Sequence, residues 1–156
     1  MPRSAVASPL ADSDTADARV RTSFAKQTIM ATLGASVASV KRGEVEIVLP
    51  FSDKILQQHG FIHAGAIATI ADSACGYAAL SMMPDDAAVL TTEFKIHLLS
   101  PAKGERIRAV GRVVRAGRKL VVTMGEVFAD QGGVSKQVAL ITASMMVIET
   151  TTGLKD

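Results

Sequence analysis

The residues best suited to chemistry lie in the stretch HGFIHAGAIATIADSACGYAAL, from His59 to Leu80. Its second half consists mostly of Ala, Ile, Gly and other small or apolar residues, and it carries one formal charge, Asp72. A carboxylate buried among apolar side chains is costly without a partner. Two readings are open. Asp72 pairs with a cation or a cap from a neighbouring element, or it works as a base or nucleophile. An apolar site raises a carboxylate's pKa and strips its water, which strengthens it in both roles once ionised. His63-Ala64-Gly65 stands at the start of the same segment. The first N–H groups of a helix lack intrahelical acceptors and carry partial positive charge, so they can receive a developing oxyanion. Gly65, having no side chain, lets either a ligand or a neighbouring element approach closely.

Spacing adds a constraint. Ala64 and Asp72 are eight residues apart, about 12 Å along a helix axis. One chain cannot bring both to one carbonyl group. If both act, a second copy must lie antiparallel, so that the acid of one protomer faces the helix start of the other. A two-fold dimer makes two such sites.

Other candidates are weaker. His59 and His63 have the i, i+4 spacing of a metal-binding pair, but Gly60 opposes a helix there and no third ligand is near, so no metal is expected. Cys75 is the single cysteine. It permits no intrachain disulfide, fits a reducing cytoplasm, and lies in an apolar segment without a basic neighbour, which reads as core. No nucleophile elbow or Gly-rich phosphate loop is present. Arg115-Ala-Gly-Arg118-Lys119 lies on a turn. It reads either as a solvated hairpin tip or as a clamp for phosphates, which Arg forks suit.

Several elements must position these groups. Val20, Phe24, Ile29, Met30 and Leu33 are spaced for an amphipathic helix over 18–33, stopped by Gly34. A strand hairpin with its turn near 41–44 follows, ending at Pro50. The segment from about His63 to about Met82 reads as a helix whose apolar residues keep to no single stripe, so it is buried on most sides. Four strands complete the chain. Leu90, Thr92, Phe94, Ile96 and Leu98 alternate onto one face of the first. Arg106, Arg108 and Arg112 share a side of the second. Short turns favour an antiparallel meander, and a curved antiparallel sheet wrapped around the long helix would bury it. The fold class is therefore α+β. Residues 1–17 read as a disordered tail, 18–150 as one domain and 151–156 as a loose tail.

The composition agrees. Of 156 residues, 48% are apolar and 21% charged, which suits a soluble globular domain. A net charge of +2 without a basic run disfavours nucleic acid. The N-terminus lacks the apolar run of a secretory signal. Asp72 at the centre of 62–83 argues against a membrane span. A cytoplasmic protein is expected.

The run Gln57 to Gly65, with Asp72 nine places after His63, resembles the PaaI-like branch of the hotdog-fold acyl-CoA thioesterases. FKIHLLSPAKGERIRAVGRVVRAGRKL is similar to the same branch, and the resemblance covers about Val20 to Ile148. It implies a hotdog fold, a long central helix wrapped by the sheet, in homodimers that can assemble as tetramers. It also implies hydrolysis of an acyl-CoA thioester without a metal or redox cofactor. By position the acid is Asp72. The groups holding the carbonyl are His63, Ala64 and Gly65, the assisting side-chain amide is Gln57, and the hydroxyl that orients water is Thr91. Arg115, Arg118 and Lys119 are placed to hold the nucleotide phosphates. The sequence departs from the branch's pattern twice, with His-Ala-Gly for His-Gly-Gly and Gln57 for the common Asn. The rival readings are a non-catalytic acyl-CoA-binding hotdog protein, a hotdog hydratase, and a purely structural dimer that would leave Asp72 paired with a cation.

Overall fold

The computed structural model describes residues 13–149, 153, 154 and 156. The expected tail over 1–12 and the positions 150–152 and 155 lie outside the described residues. The described elements are α1 (Ser13–Phe24), α2 (Thr28–Leu33), β1 (Ser36–Lys41), β2 (Glu44–Pro50), α3 (Ala64–Leu80), β3 (Ala88–Leu98), β4 (Arg106–Ala116), β5 (Leu120–Gln131) and β6 (Val134–Ile148). The first helix begins before the predicted residue 18 and is broken in two. Lys26 and Gln27 bond back to Ser23 and Phe24, closing α1 with a tight turn before α2 starts. Gly34 ends α2 in the left-handed conformation, as the sequence predicts.

The strands form one antiparallel sheet in the order β1-β2-β4-β5-β6-β3. This corrects the expected meander. β3 does not pair with β4, because the connection 99–105 is a crossing and not a tight turn. It carries the chain across to β2, where Phe51 N–H donates to Glu105 O at 2.9 Å and Ile62 N–H to Ala102 O at 3.0 Å. β3 instead pairs with β6 and forms one edge of the sheet.

A second correction concerns parity. Thr91 pairs with Met145 and Glu93 with Ser144, so Thr92 is an inserted bulge residue. The bulge flips the alternation. Thr91 lies on the face that carries Phe94, Ile96 and Leu98, toward α3, while Leu90 turns to the opposite face beside Met146.

The core lies between α3 and the sheet. Ile47, Leu49, Ile107, Val127, Ile141 and Met145 are buried against Ile70, Ala74 and Cys75. The contact is closest at Gly111 and Gly125, which pair across β4 and β5. A methyl group at Gly111 would lie 2.3 Å from the Ala74 backbone carbon. One at Gly125 would lie 2.8 Å from Ile141 and 2.9 Å from the Cys75 sulfur. On the opposite face, Arg106, Arg108 and Arg112 pair with Asp130, Glu46, Glu44 and Glu126, so the basic side expected on β4 is neutralised by its neighbours. Arg19 of α1 donates to the carbonyls of Leu80, Met83 and Ala87, which satisfies the C-terminal end of α3.

The glycine contact predicts Gly111→Ala to be the more damaging of two small substitutions, since its obstacle is backbone. We expect a loss of about 1–3 kcal/mol in denaturant unfolding, with Gly125→Ala losing less because a thiol and a side-chain methyl can shift. Equal stability of wild type and Gly111→Ala would show that α3 does not rest on β4 this closely.

Candidate active site

On α3, the residues left unburied are Ala64, Gly65, Ala68, Thr69, Asp72 and Ser73. They recur at i, i+4 and i+8 and so form one stripe. The rest of the helix is buried, apart from this stripe, as its mixed apolar pattern predicts.

At the start of the stripe, His63 is the N-cap, and its Nδ1 accepts the Gly65 N–H at 2.8 Å. His63 N–H donates to Ile55 O, which ties the cap to the preceding loop. Two consequences follow. With Nδ1 accepting, a neutral imidazole carries its proton on Nε2, which is exposed and free to donate. The Gly65 N–H, expected to be an open donor, is instead satisfied by the histidine. Gly65 serves that contact, because a methyl group there would lie 3.0 Å from His63 Nδ1. The open backbone donor is the Ala64 N–H, which has no acceptor among the described residues. Gln57 reaches the same place. Its Oε1 accepts the His59 N–H, and it lines with Phe61, His63, Ala64, Ile67 and Leu98 a cavity of about 570 Å³.

Asp72 lies in a different cavity, of about 280 Å³, between α1, α3 and the start of β3. Its Oδ1 accepts the Thr91 hydroxyl at 2.8 Å. No cation pairs with it among the described residues. Burial pushes its carboxyl above the usual carboxylate range, and the Thr91 hydrogen bond offsets only part of this. The two half-sites thus open into separate cavities of one chain, as the spacing of Ala64 and Asp72 requires.

A general model of the thioesterase superfamily matches residues 59–136, which contain both half-sites. The chain belongs to the thioesterase superfamily. A thioesterase family protein from Silicibacter pomeroyi is 46% identical in sequence and superposes with a TM-score of 0.84 over 86% of this chain and 98% of that one. The PaaI protein of the Escherichia coli phenylacetic acid degradation operon superposes at 0.76 with 22% identity, over 87% and 95%. Among curated relatives, the 1,4-dihydroxy-2-naphthoyl-CoA hydrolase of Listeria monocytogenes is 23% identical over 91 residues, 58% of this chain and 74% of that protein. The chain has the PaaI-like hotdog fold.

The remaining candidate residues fall outside the two cavities. Arg115, Arg118 and Lys119 are exposed on the β4–β5 turn and form no ion pair among the described residues. That turn lies at the Asp72 end of the sheet, since Lys119 O accepts from Val147 N and Val147 pairs with Val89. Cys75 is buried against Gly125, and burial pushes its thiol up to about 12, which fits core and not a nucleophile. His59 contacts Gln58 and not His63, and no group of three or more metal-ligating side chains occurs among the described residues. No described helix is long and apolar enough to cross a membrane.

The sequence reading missed the far wall of the Asp72 cavity. Gln27 Nε2 donates to the Tyr77 hydroxyl at 2.8 Å, and the Ser73 hydroxyl donates to Gln27 Oε1 at 3.3 Å. Ser23 lies 3.3 Å from the Tyr77 hydroxyl. Tyr77, one turn beyond Ser73 and the chain's single tyrosine, was the available signal.

The raised Asp72 pKa gives a stability prediction. Folding favours the protonated acid, so stability falls as pH rises from the unfolded carboxylate range through the higher folded value. Asp72→Asn should therefore melt a few degrees higher than wild type at neutral pH, with the difference vanishing below the ordinary carboxylate pKa of about 3.9. A lower melting temperature at neutral pH would mean that the charge stabilises the fold.

Proposed function

We propose that the protein hydrolyses an acyl-CoA thioester at a site shared by two copies of the chain. The carrying observation is Asp72: a half-buried carboxylate with no cation among the described residues, held by Thr91, on the same helix stripe as an open N–H eight residues away and beside an imidazole donor nine residues away. Two features support the second copy. The unburied stripe of α3 offers small residues for an antiparallel contact. β3 is an unpaired edge that exposes Phe94 and Leu98, and such an edge is commonly covered by another strand. The curated relative that acts on a CoA thioester supports the substrate class. The reading takes 18–150 as one domain and gives the CoA phosphates to Arg115, Arg118 and Lys119.

In this mechanism the thioester carbonyl meets the Ala64 N–H and the His63 Nε2–H of one protomer, with the Gln57 amide nearby. Asp72 of the other protomer presents Oδ2, since Oδ1 is held by Thr91. As general base, Asp72 takes a proton from water as the water oxygen bonds to the carbonyl carbon. The oxyanion forms at the two donors, each worth about 3–4 kcal/mol in such sites. Collapse breaks the C–S bond, the CoA thiolate leaves, and the proton on Asp72 returns to it. As nucleophile, Asp72 attacks the carbonyl carbon itself and water then splits the mixed anhydride. In a single turnover in H₂¹⁸O, label in Asp72 identifies the second route with water attacking the aspartyl carbonyl of the anhydride, whereas the general-base route puts the label only in the acid product.

Thiol release from a panel of aryl, short-chain and long-chain acyl-CoAs tests the activity. We expect Asp72→Asn to lose about three orders of magnitude in kcat, the middle of the range for an acid–base group. Equal thiol release by wild type and variant removes Asp72 from the chemistry. The shared site has its own test. Asp72→Asn and His63→Ala proteins should each be impaired, yet an equimolar mixture refolded together should recover about a quarter of wild-type activity, from one intact site in each mixed dimer. No recovery would place the whole site within one chain. The acidic limb of kcat against pH follows Asp72, and Thr91→Val should move it to higher pH by removing a hydrogen bond that favours the carboxylate.

A further inference from the structure

The Asp72 cavity contains a second carboxylate, and its placement is informative. Asp156 Oδ2 accepts the Val89 backbone N–H at 2.8 Å, and its Oδ1 accepts the Ser23 hydroxyl at 3.4 Å. Val89 N–H belongs to the open edge of β3, so nothing in the sheet competes for it. Ser23 is buried, and behind it the hydrogen bonds run in one direction: Gln27 donates to Tyr77, Tyr77 faces Ser23, and Ser23 donates to Asp156. Two donors therefore converge on the two oxygens of one carboxylate.

The surroundings carry positive charge. Arg19 is close enough to feel Asp156, although burial dominates its pKa and lowers it, and among the described residues its hydrogen bonds go to the backbone carbonyls of Leu80, Met83 and Ala87. Lys26 lines the cavity and forms no ion pair among the described residues. Asp72 and Asp156 are the two carboxylates that line this cavity.

We propose that the Val89 N–H and the Ser23 hydroxyl form a carboxylate seat that receives a terminal carboxylate of the acyl group, making short dicarboxylic acyl-CoAs the preferred substrates, and that Asp156 fills the seat until substrate displaces it. This rests on the thioesterase reading of Asp72. Length follows from the strand. Thr91, which holds Asp72, and Val89, which holds the seat, are two residues apart on β3, about 7 Å. Once room is left between Asp72 and the carbonyl carbon, that span suits succinyl to adipyl groups. The cavity wall agrees with this class. Ser23, Lys26, Gln27, Ser73, Tyr77 and Thr91 are polar, whereas a fatty acyl chain calls for an apolar lining. The floor is open at Gly76, where an added methyl group would meet nothing within 4 Å.

The test compares succinyl- and glutaryl-CoA with butyryl- and valeryl-CoA, pairs that exchange a terminal carboxylate for a methyl group. Hydrogen bonds to a charged group predict a kcat/KM ratio of about tenfold or more in favour of the carboxylates. Asp156→Asn, which weakens the resident occupant, should raise that ratio, and Ser23→Ala should lower it. A ratio near one in both wild type and Asp156→Asn overturns the seat. So does a Ser23→Ala protein that loses activity on both classes equally, since that is the result of a purely structural serine. If no acyl-CoA is hydrolysed, the thioesterase reading fails and equilibrium binding of succinyl-CoA and butyryl-CoA by the wild-type chain decides the seat. Tighter binding of succinyl-CoA upholds it, and equal binding overturns it.

Discussion

Everything in this molecule depends on how closely α3 lies on its sheet. Gly111 and Gly125 are paired neighbours on β4 and β5, and together they leave a trough with no side chains in it. The helix backbone at Ala74 and Cys75 drops into that trough. Small residues on the helix make the fit reciprocal, with Ala71, Ala74, Cys75 and Ala78 all buried. A helix seated so deeply has little freedom to roll. Its rotation decides which residues form the unburied stripe, and therefore that Asp72 emerges beside Thr91 near the start of β3. Interior packing and site geometry are here one constraint, because dense cores leave few alternative arrangements.

The same seating sets the electrostatics. Asp72 is near enough to the core to lose part of its hydration, yet it stays on the stripe, where water and ligands reach it. Its single fixed hydrogen bond leaves one oxygen uncommitted. At the other end of the stripe, the His63 ring folds over Gly65 and settles its own protonation pattern. Each half of the stripe is therefore organised before any substrate arrives, which is the condition under which fixed dipoles act most strongly on developing charge.

Much of this was legible in the sequence, for reasons that can be named. An acid in a run of Ala, Ile and Gly stands out because its burial must be compensated. Period-two alternation marked most strands, since one face of each is buried. The helix rise alone places the two half-sites about 12 Å apart. Other features left no local trace. Strand order was hidden because β3 and β6 meet across more than forty residues of chain, and nothing within 99–105 announces a crossing. The role of Gly65 was misread because a missing side chain does not say what occupies the space. The far wall of the Asp72 cavity was invisible because Ser23, Gln27, Tyr77 and Asp156 come from distant segments, and ordinary polar residues carry no signal until the fold brings them together.

The bulge at Thr92 separates two inheritances within a single strand. Before it, the residues turned to α3 are Val89 and Thr91; after it, they are Phe94, Ile96 and Leu98. A strand without the insertion would carry one unbroken alternation, and any residue chosen for its chemistry at position 91 would oblige every later side chain to follow the same parity. The extra residue breaks that dependence. The polar end of β3 can vary with the ligand while the apolar end keeps its register against neighbouring surfaces, so this edge of the sheet is modular at the scale of single residues.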